Sequence, residues 1–364
     1  MSISDPQEVY TIIMLIYKIT KGQTMKTLKN MILATVASSL VFFSANAGEM
    51  SIDGSIEMAH TVNDGETGNP LGMENEMTMS AATELDNGIA VSYKMTLDAN
   101  AFDDEEISFA TDYGTIALTS TGSPMDANDN ITPTVFEEAE YGAATGYLDT
   151  SALSGNGAML IRYGNTFMGV GIDASYTPRY GSGDGSDDGA ASGTTNGSWG
   201  EVYEVALSAV PMDGAKVTVG YGKTERTALN LDDGETGLVA VSYAYGPISV
   251  GAQKSIIGYG NQGSAAALGT NWVKNTNMGI SYSVNDQLSV SYQETTSQKN
   301  SKSVLNPLTG GSMNNTVELE ADTISIGYTI GGMSIKYAES DVDNDTYSTG
   351  TKGSKNTLSV GIAY

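Results

Sequence analysis

Carboxylates are the chemistry this sequence offers in quantity. It carries 43 Asp and Glu against 17 Lys and Arg, a formal net charge of −26, although only 16% of its residues are charged. Cys is absent, which excludes thiol chemistry, disulfides and Cys-based zinc sites. The single histidine, His60, leaves little material for imidazole catalysis or a histidine metal centre. No Ser-His-acid spacing surrounds it, and a surface position is expected. Without clustered Lys and Arg, nucleic acid is not an expected partner. No cofactor is expected either, apart from Ca²⁺ at two acidic stretches. Asp341, Asp343 and Asp345 are spaced as a calcium loop begins, but Thr346 and Lys352 stand where that loop needs Gly and Glu. Asp184, Asp187 and Asp188 lie in a Gly-rich stretch. Each also reads as a solvated acidic loop. Otherwise the acids act at range, setting the sign of the ions that gather near them.

Strands must position these acids. In Ile89-Ala90-Val91-Ser92-Tyr93-Lys94-Met95-Thr96-Leu97, large apolar residues alternate with small or polar ones, the period-two signature of a strand. Asp86-Asn87-Gly88 makes a turn before it, and 77–85 alternates ahead of that turn, so the two runs form a hairpin. The pattern recurs through Tyr203–Ala209, Val217–Tyr221, Val239–Tyr245, Ile248–Ala252, Met278–Val284, Leu288–Tyr292, Ile324–Ile330, Met333–Tyr337 and Leu358–Tyr364. Short turns such as Gly246-Pro247 and Gly331-Gly332 alternate with long polar loops at 177–198, 223–236, 295–315 and 338–355. No helical periodicity stands out. The expected fold is all-β: a transmembrane antiparallel up-and-down β-barrel of about 16 strands.

Residues 25–47 read as a secretory signal peptide. Lys26 and Lys29 precede an apolar run over 31–43, and Ala45 and Ala47 form the small-x-small cleavage site. Residues 1–24 are expected to be an extension from a start codon placed too far upstream, and 48–364 to be the barrel domain.

A barrel is the only β structure that spans a bilayer, because closure leaves no unpaired backbone edge. One face of each run carries Val, Ile, Leu, Met and Tyr; the other carries Ser, Thr, Gly and charges too polar for a solid core. The apolar face should meet lipid. The 20 Tyr recur near strand ends, where aromatic girdles belong. By parity the inward charges are Arg162, Lys94, Lys216 and Lys336 against Asp53, Glu57, Glu74, Glu76, Glu84, Asp173, Glu204, Glu318, Glu320 and Asp322. The last three require a bulge near Thr323, where the apolar parity flips.

Three motifs carry a family resemblance. The terminal run Thr357-Leu358-Ser359-Val360-Gly361-Ile362-Ala363-Tyr364 alternates and ends on an aromatic. Ile161-Arg162-Tyr163-Gly164-Asn165 is followed by a second run from Gly169 to Tyr176, and a hairpin spans 107–118. The chain resembles the trimeric general porins of Gram-negative outer membranes, most of all the 16-stranded alphaproteobacterial type. The resemblance implies an outer-membrane homotrimer in contact with outer-membrane lipid. It implies Tyr364 as the assembly signal, and an inward-folded constriction loop at 119–156 with Asp126, Asp129, Glu137, Glu138 and Glu140. The other reading of that segment is a solvated outer loop. The family's facing wall of Arg and Lys is missing here, and the inward set is net negative. The expected function is passive diffusion of small hydrophilic solutes and ions, with weak preference for cations and no enzyme activity. The alternative is an exported soluble or surface β protein, of adhesin or surface-layer type.

Overall fold

The computed structural model describes residues 49–65, 67–98, 101–120, 122–128, 131–136, 159–178, 199–226, 232–259, 270–305 and 312–364. The signal peptide with Ala45 and Ala47, the acids Asp129, Glu137, Glu138 and Glu140, and Asp184, Asp187 and Asp188 all lie outside these residues.

Sixteen strands follow one another in the described residues: β1 (Glu49–Asn63), β2 (Leu71–Glu84), β3 (Ala90–Asp98), β4 (Ala101–Thr111), β5 (Gly114–Thr119), β6 (Leu160–Phe167), β7 (Val170–Thr177), β8 (Trp199–Ala209), β9 (Ala215–Arg226), β10 (Gly234–Tyr245), β11 (Ile248–Gly258), β12 (Thr270–Ser283), β13 (Leu288–Leu305), β14 (Ser312–Ile330), β15 (Met333–Asp343) and β16 (Lys352–Ala363). Each pairs antiparallel with its chain neighbours, and β1 pairs with β16, so the sheet closes into a barrel. Backbone bonds between Gly54 and Tyr364, both 2.9 Å, extend that seam to the last residue. Closure satisfies every edge, the condition for a sheet in hydrocarbon.

The barrel is polar inside and apolar outside. On β14, Ile324 is 57% exposed while its inward neighbour Ser325 is 1% exposed. The same contrast holds on β16, where Leu358 and Ile362 are exposed and Ser359 is buried. A belt of exposed Ile, Val, Met and Tyr this continuous is foreign to a water-soluble monomer. Tyrosines mark its borders. On the long-loop side Tyr176 donates to Glu201 (3.0 Å), Tyr221 to Glu235 (3.2 Å), Tyr292 to Asp322 (2.5 Å) and Tyr337 to Asn356 (3.4 Å). On the tight-turn side stand Tyr245, Tyr282 and Tyr364, with Tyr328 donating to Gln287. The bonded tyrosines keep their rings on the outward face while their hydroxyls reach polar groups at its border.

Two expectations are corrected. No bulge occurs at Thr323: the register of β14 runs unbroken past it against both β13 and β15. Glu318, Glu320 and Asp322 therefore share the outward face with Ile324, and Leu319 and Ala321 are the buried inward residues between them. The outward face must be apolar only within the hydrocarbon band; beyond it, acids meet water without cost. For the same reason 295–315 is not a long loop. β13 runs to Leu305 and β14 begins at Ser312, because ladder hydrogen bonds continue where apolar alternation stops.

Wall height varies. β13 and β14 have 18 and 19 residues, whereas β5, β6 and β7 have 6, 8 and 8.

Candidate functional site: the lumen

The inner face divides into two unlike halves. From β8 to β15 most of its inward positions are buried, although many are polar: Thr218, Ser255, Asn275, Ser297, Ser325 and Ser340 among them. They bond to one another, as in Ser297 to Asn275 (2.5 Å) and Thr323 to Ser340 (2.6 Å). Tyr347, from the turn after β15, bonds Ser297 at 2.6 Å and packs on Leu319, Ala321 and Val342. From β1 to β3 the inward positions Asp53, Glu74, Glu76 and Lys94 are instead exposed to solvent.

The segment after β5 explains the asymmetry. Its described part, 122–128 and 131–136, lies inside the barrel against the β8–β15 wall. At its root the Gly122 carbonyl accepts from Arg162 Nη1 at 2.6 Å. Arg162 also donates through Nε to Asp173 Oδ1 at 2.9 Å, so the pair on β6 and β7 is committed to each other and to the loop. The Met125 amide then donates to Glu204 on β8 (3.3 Å), a residue 3% exposed. Met125 is fully buried on Leu238 and Ala240 of β10, with Ile131 beside it. Thr132 accepts from Gln293 on β13 (3.2 Å), and the Val135 amide donates to Ser291 (3.0 Å). Phe136 ends the described path, buried against Ala338 of β15 under the Lys336 ammonium, 5.0 Å from the ring centroid.

Glycines make this seat. A Cβ at Gly251 on β11 would stand 2.7 Å from Pro133 Cδ; at Gly279 on β12, 2.7 Å from the Pro133 carbonyl oxygen; at Gly327 on β14, 2.6 Å from Val135 Cγ1. Gly220 on β9 leaves room for Met125 in the same way. In the sequence these were merely small residues in the inward register. Inward Gly also occurs away from the loop, at Gly72, Gly164, Gly171 and Gly361, so the residue type alone does not mark the seat.

The expected pore-wall charges therefore separate. Arg162 and Asp173 point inward as an ion pair beside the loop root, and Glu204 is sealed beneath the loop. Lys216 is inward and half-buried. Lys336 lies between Phe136 and Glu57, 3.8 Å from the latter. Glu74, Glu76 and Lys94 face the open lumen, and Asp126 is exposed on the loop. Glu318 and Glu320 are outside the barrel. On the open wall, carboxylates oppose carboxylates: Glu57 is directly across from Glu74, and Glu76 from Asp98. Lys94 is across from Glu106. Such like-charge pairs destabilise a sheet unless water and counterions screen them, which an aqueous lumen provides. Asp343 is ion-paired with Lys352 at 2.5 Å, and among the described residues no three acids or histidines converge on a metal position. His60 faces outward, in register with Leu358.

Comparison with known proteins places this architecture. A family model described as Gram-negative porin matches residues 33–322. No curated protein sequence matches. Among solved structures, the trimer form of OmpT, an outer membrane protein of Vibrio cholerae, aligns over 88% of this chain and all of its own, with TM-score 0.62 and 11% identity. An anion-selective porin from Comamonas acidovorans aligns over 87% of this chain and all of its own (TM-score 0.61, 11% identity). Salmonella typhi OmpF in complex with daunomycin aligns over 88% and all of its own (TM-score 0.60, 13% identity). At these identities the likeness is one of fold.

Proposed function

The chain belongs to the Gram-negative porin family of the outer membrane, and from that premise we propose that it forms a passive, weakly cation-selective channel for small hydrophilic solutes, with no chemical step. The fold does not decide the sign of the selectivity, since an anion-selective porin shares it. The observation that carries the proposal is the open acidic wall: Asp53, Glu74 and Glu76 are exposed to the lumen opposite the half that the loop covers, with Asp98 half-buried across from Glu76. Carboxylates along a water-filled passage with low-dielectric walls raise the local cation concentration and repel anions. Lys94, across from Glu106 on the same wall, offsets them only in part. Arg162 is held by Asp173 and Lys336 by Glu57. The one histidine faces away from the lumen, which supports a channel without catalysis.

Assembly as a homotrimer is part of the proposal. OmpT, of the same fold, has a trimer form. The six residues of β5 rise roughly 20 Å even if upright, short of the apolar band of about 25 Å on membrane barrels. A neighbouring protomer against that wall relieves the mismatch.

The test is reconstitution in planar bilayers with a KCl gradient. Single-channel steps and a reversal potential favouring K⁺ are expected. Neutralising the wall with Glu74→Gln, Glu76→Gln and Asp98→Asn should move the reversal potential toward zero, with conductance steps retained. Anion preference in the wild type would overturn the selectivity and leave the channel standing. Absence of steps from folded protein would overturn both.

A further inference from the structure

We propose that the outward wall of β11 and β12 holds a groove for the phosphate headgroup of an anionic membrane lipid. Lys254 on β11 is in register with Thr276, and Lys274 on β12 with Ile256. The two lysines are diagonal neighbours on the outward face, which Val250, Met278 and Ile280 continue toward the tight turns. They border a groove of about 320 Å³ whose lining includes Tyr221, Ile256 and Glu235.

Height and charge together identify the occupant. On β11 the apolar outward run Ile248, Val250, Ala252 gives way at Lys254, and on β12 the run from Tyr282 to Met278 gives way two residues before Lys274. That border is the level of lipid headgroups. On β13, β14 and β15 the matching positions are acids, Glu294, Asp322 and Glu339. Two other outward lysines are neutralised by aspartates: Lys223 by Asp233 at 2.7 Å and Lys352 by Asp343 at 2.5 Å. Lys254 and Lys274 form no ion pair among the described residues; Lys274 lies over the Trp272 ring at 4.4 Å. Glu235, which accepts the Tyr221 hydroxyl, borders the groove with the opposite sign, so the two lysines leave the groove with one net positive charge. Two ammonium groups without a carboxylate partner among the described residues, above an apolar run, match a phosphate joined to acyl chains. A free anion would leave the apolar run of Val250, Met278 and Ile280 beneath the lysines unused.

The experiment is native mass spectrometry of the folded barrel in detergent, titrated separately with dioleoyl-phosphatidylglycerol, dioleoyl-phosphatidylcholine and inorganic phosphate. Phosphatidylglycerol should be retained at roughly tenfold lower concentration than phosphatidylcholine. Lys254→Gln with Lys274→Gln should abolish that preference while channel steps persist. Equal retention of the two lipids, or an unchanged preference in the double variant, overturns the proposal. Displacement of phosphatidylglycerol by equimolar inorganic phosphate overturns the lipid as the source of the phosphate. If the double variant does not fold, the wild-type comparison of the two lipids still decides. The outcome is independent of ion selectivity, which the bilayer recordings measure.

Discussion

Gly54 has no side chain where the Tyr364 ring stands: a Cβ there would lie 2.7 Å from two of the ring carbons. The ring covers the point at which the first and last strands exchange backbone hydrogen bonds. Gly54→Val should push the ring off the seam at a cost of about 1–3 kcal/mol, the usual range for overpacking. The expected result is a lower midpoint in urea for loss of the heat-resistant folded band on gels. Asp233, in the segment between β9 and β10, is a second local case. Partial burial pushes its carboxyl pKa up. The Lys223 ammonium at 2.7 Å and the Arg226 amide at 2.8 Å pull it down by more, leaving it below the ordinary carboxylate value. A carboxyl lowered in the folded state stabilises above its unfolded pKa and loses that contribution as pH falls through its folded one. Asp233→Asn should therefore cost at most about 1 kcal/mol near neutrality, as exposed pairs do. Thermal melts of variant and wild type should converge as the pH is lowered.

Elements show how far the sequence could be read. Alternation was legible wherever the outward face meets lipid, and there the sixteen strands, the tight turns and the inward parity of Arg162, Glu74 and Glu76 could be assigned. Above the belt the rule has no force. Glu318, Glu320 and Asp322 then looked inward by charge, and the flip in pattern invited a bulge the backbone does not have. The loop path was illegible for another reason. Its partners on five or more strands are small or polar residues whose pattern is that of any lumen wall. What selects the path is missing volume at Gly220, Gly251, Gly279 and Gly327. Gly279→Val should lift the Pro133 region off the wall and into the open half of the lumen. Lower single-channel conductance is expected, with barrel stability within about 1–3 kcal/mol of wild type. Unchanged conductance would mean that the segment's place does not set the bore.

At the scale of the molecule, the acids work as a field. Their reach is the screening length, about 10 Å at 0.1 M salt and 3 Å at 1 M. At low salt the open wall should govern the whole lumen, and at high salt only a layer of water next to it. The ratio of K⁺ to Cl⁻ permeability should fall toward unity between 0.1 and 1 M KCl, measured from reversal potentials at a fixed gradient ratio. A ratio that ignores salt would point to a narrow contact filter in place of a diffuse field.

The four glycines that receive the loop belong to β9, β11, β12 and β14, and Arg162 and Phe136 hold its two described ends on β6 and β15. No single hairpin contains that berth. It exists only where distant stretches of chain lie side by side, so the bore of the channel is a property of the assembled wall and of no separable piece of it.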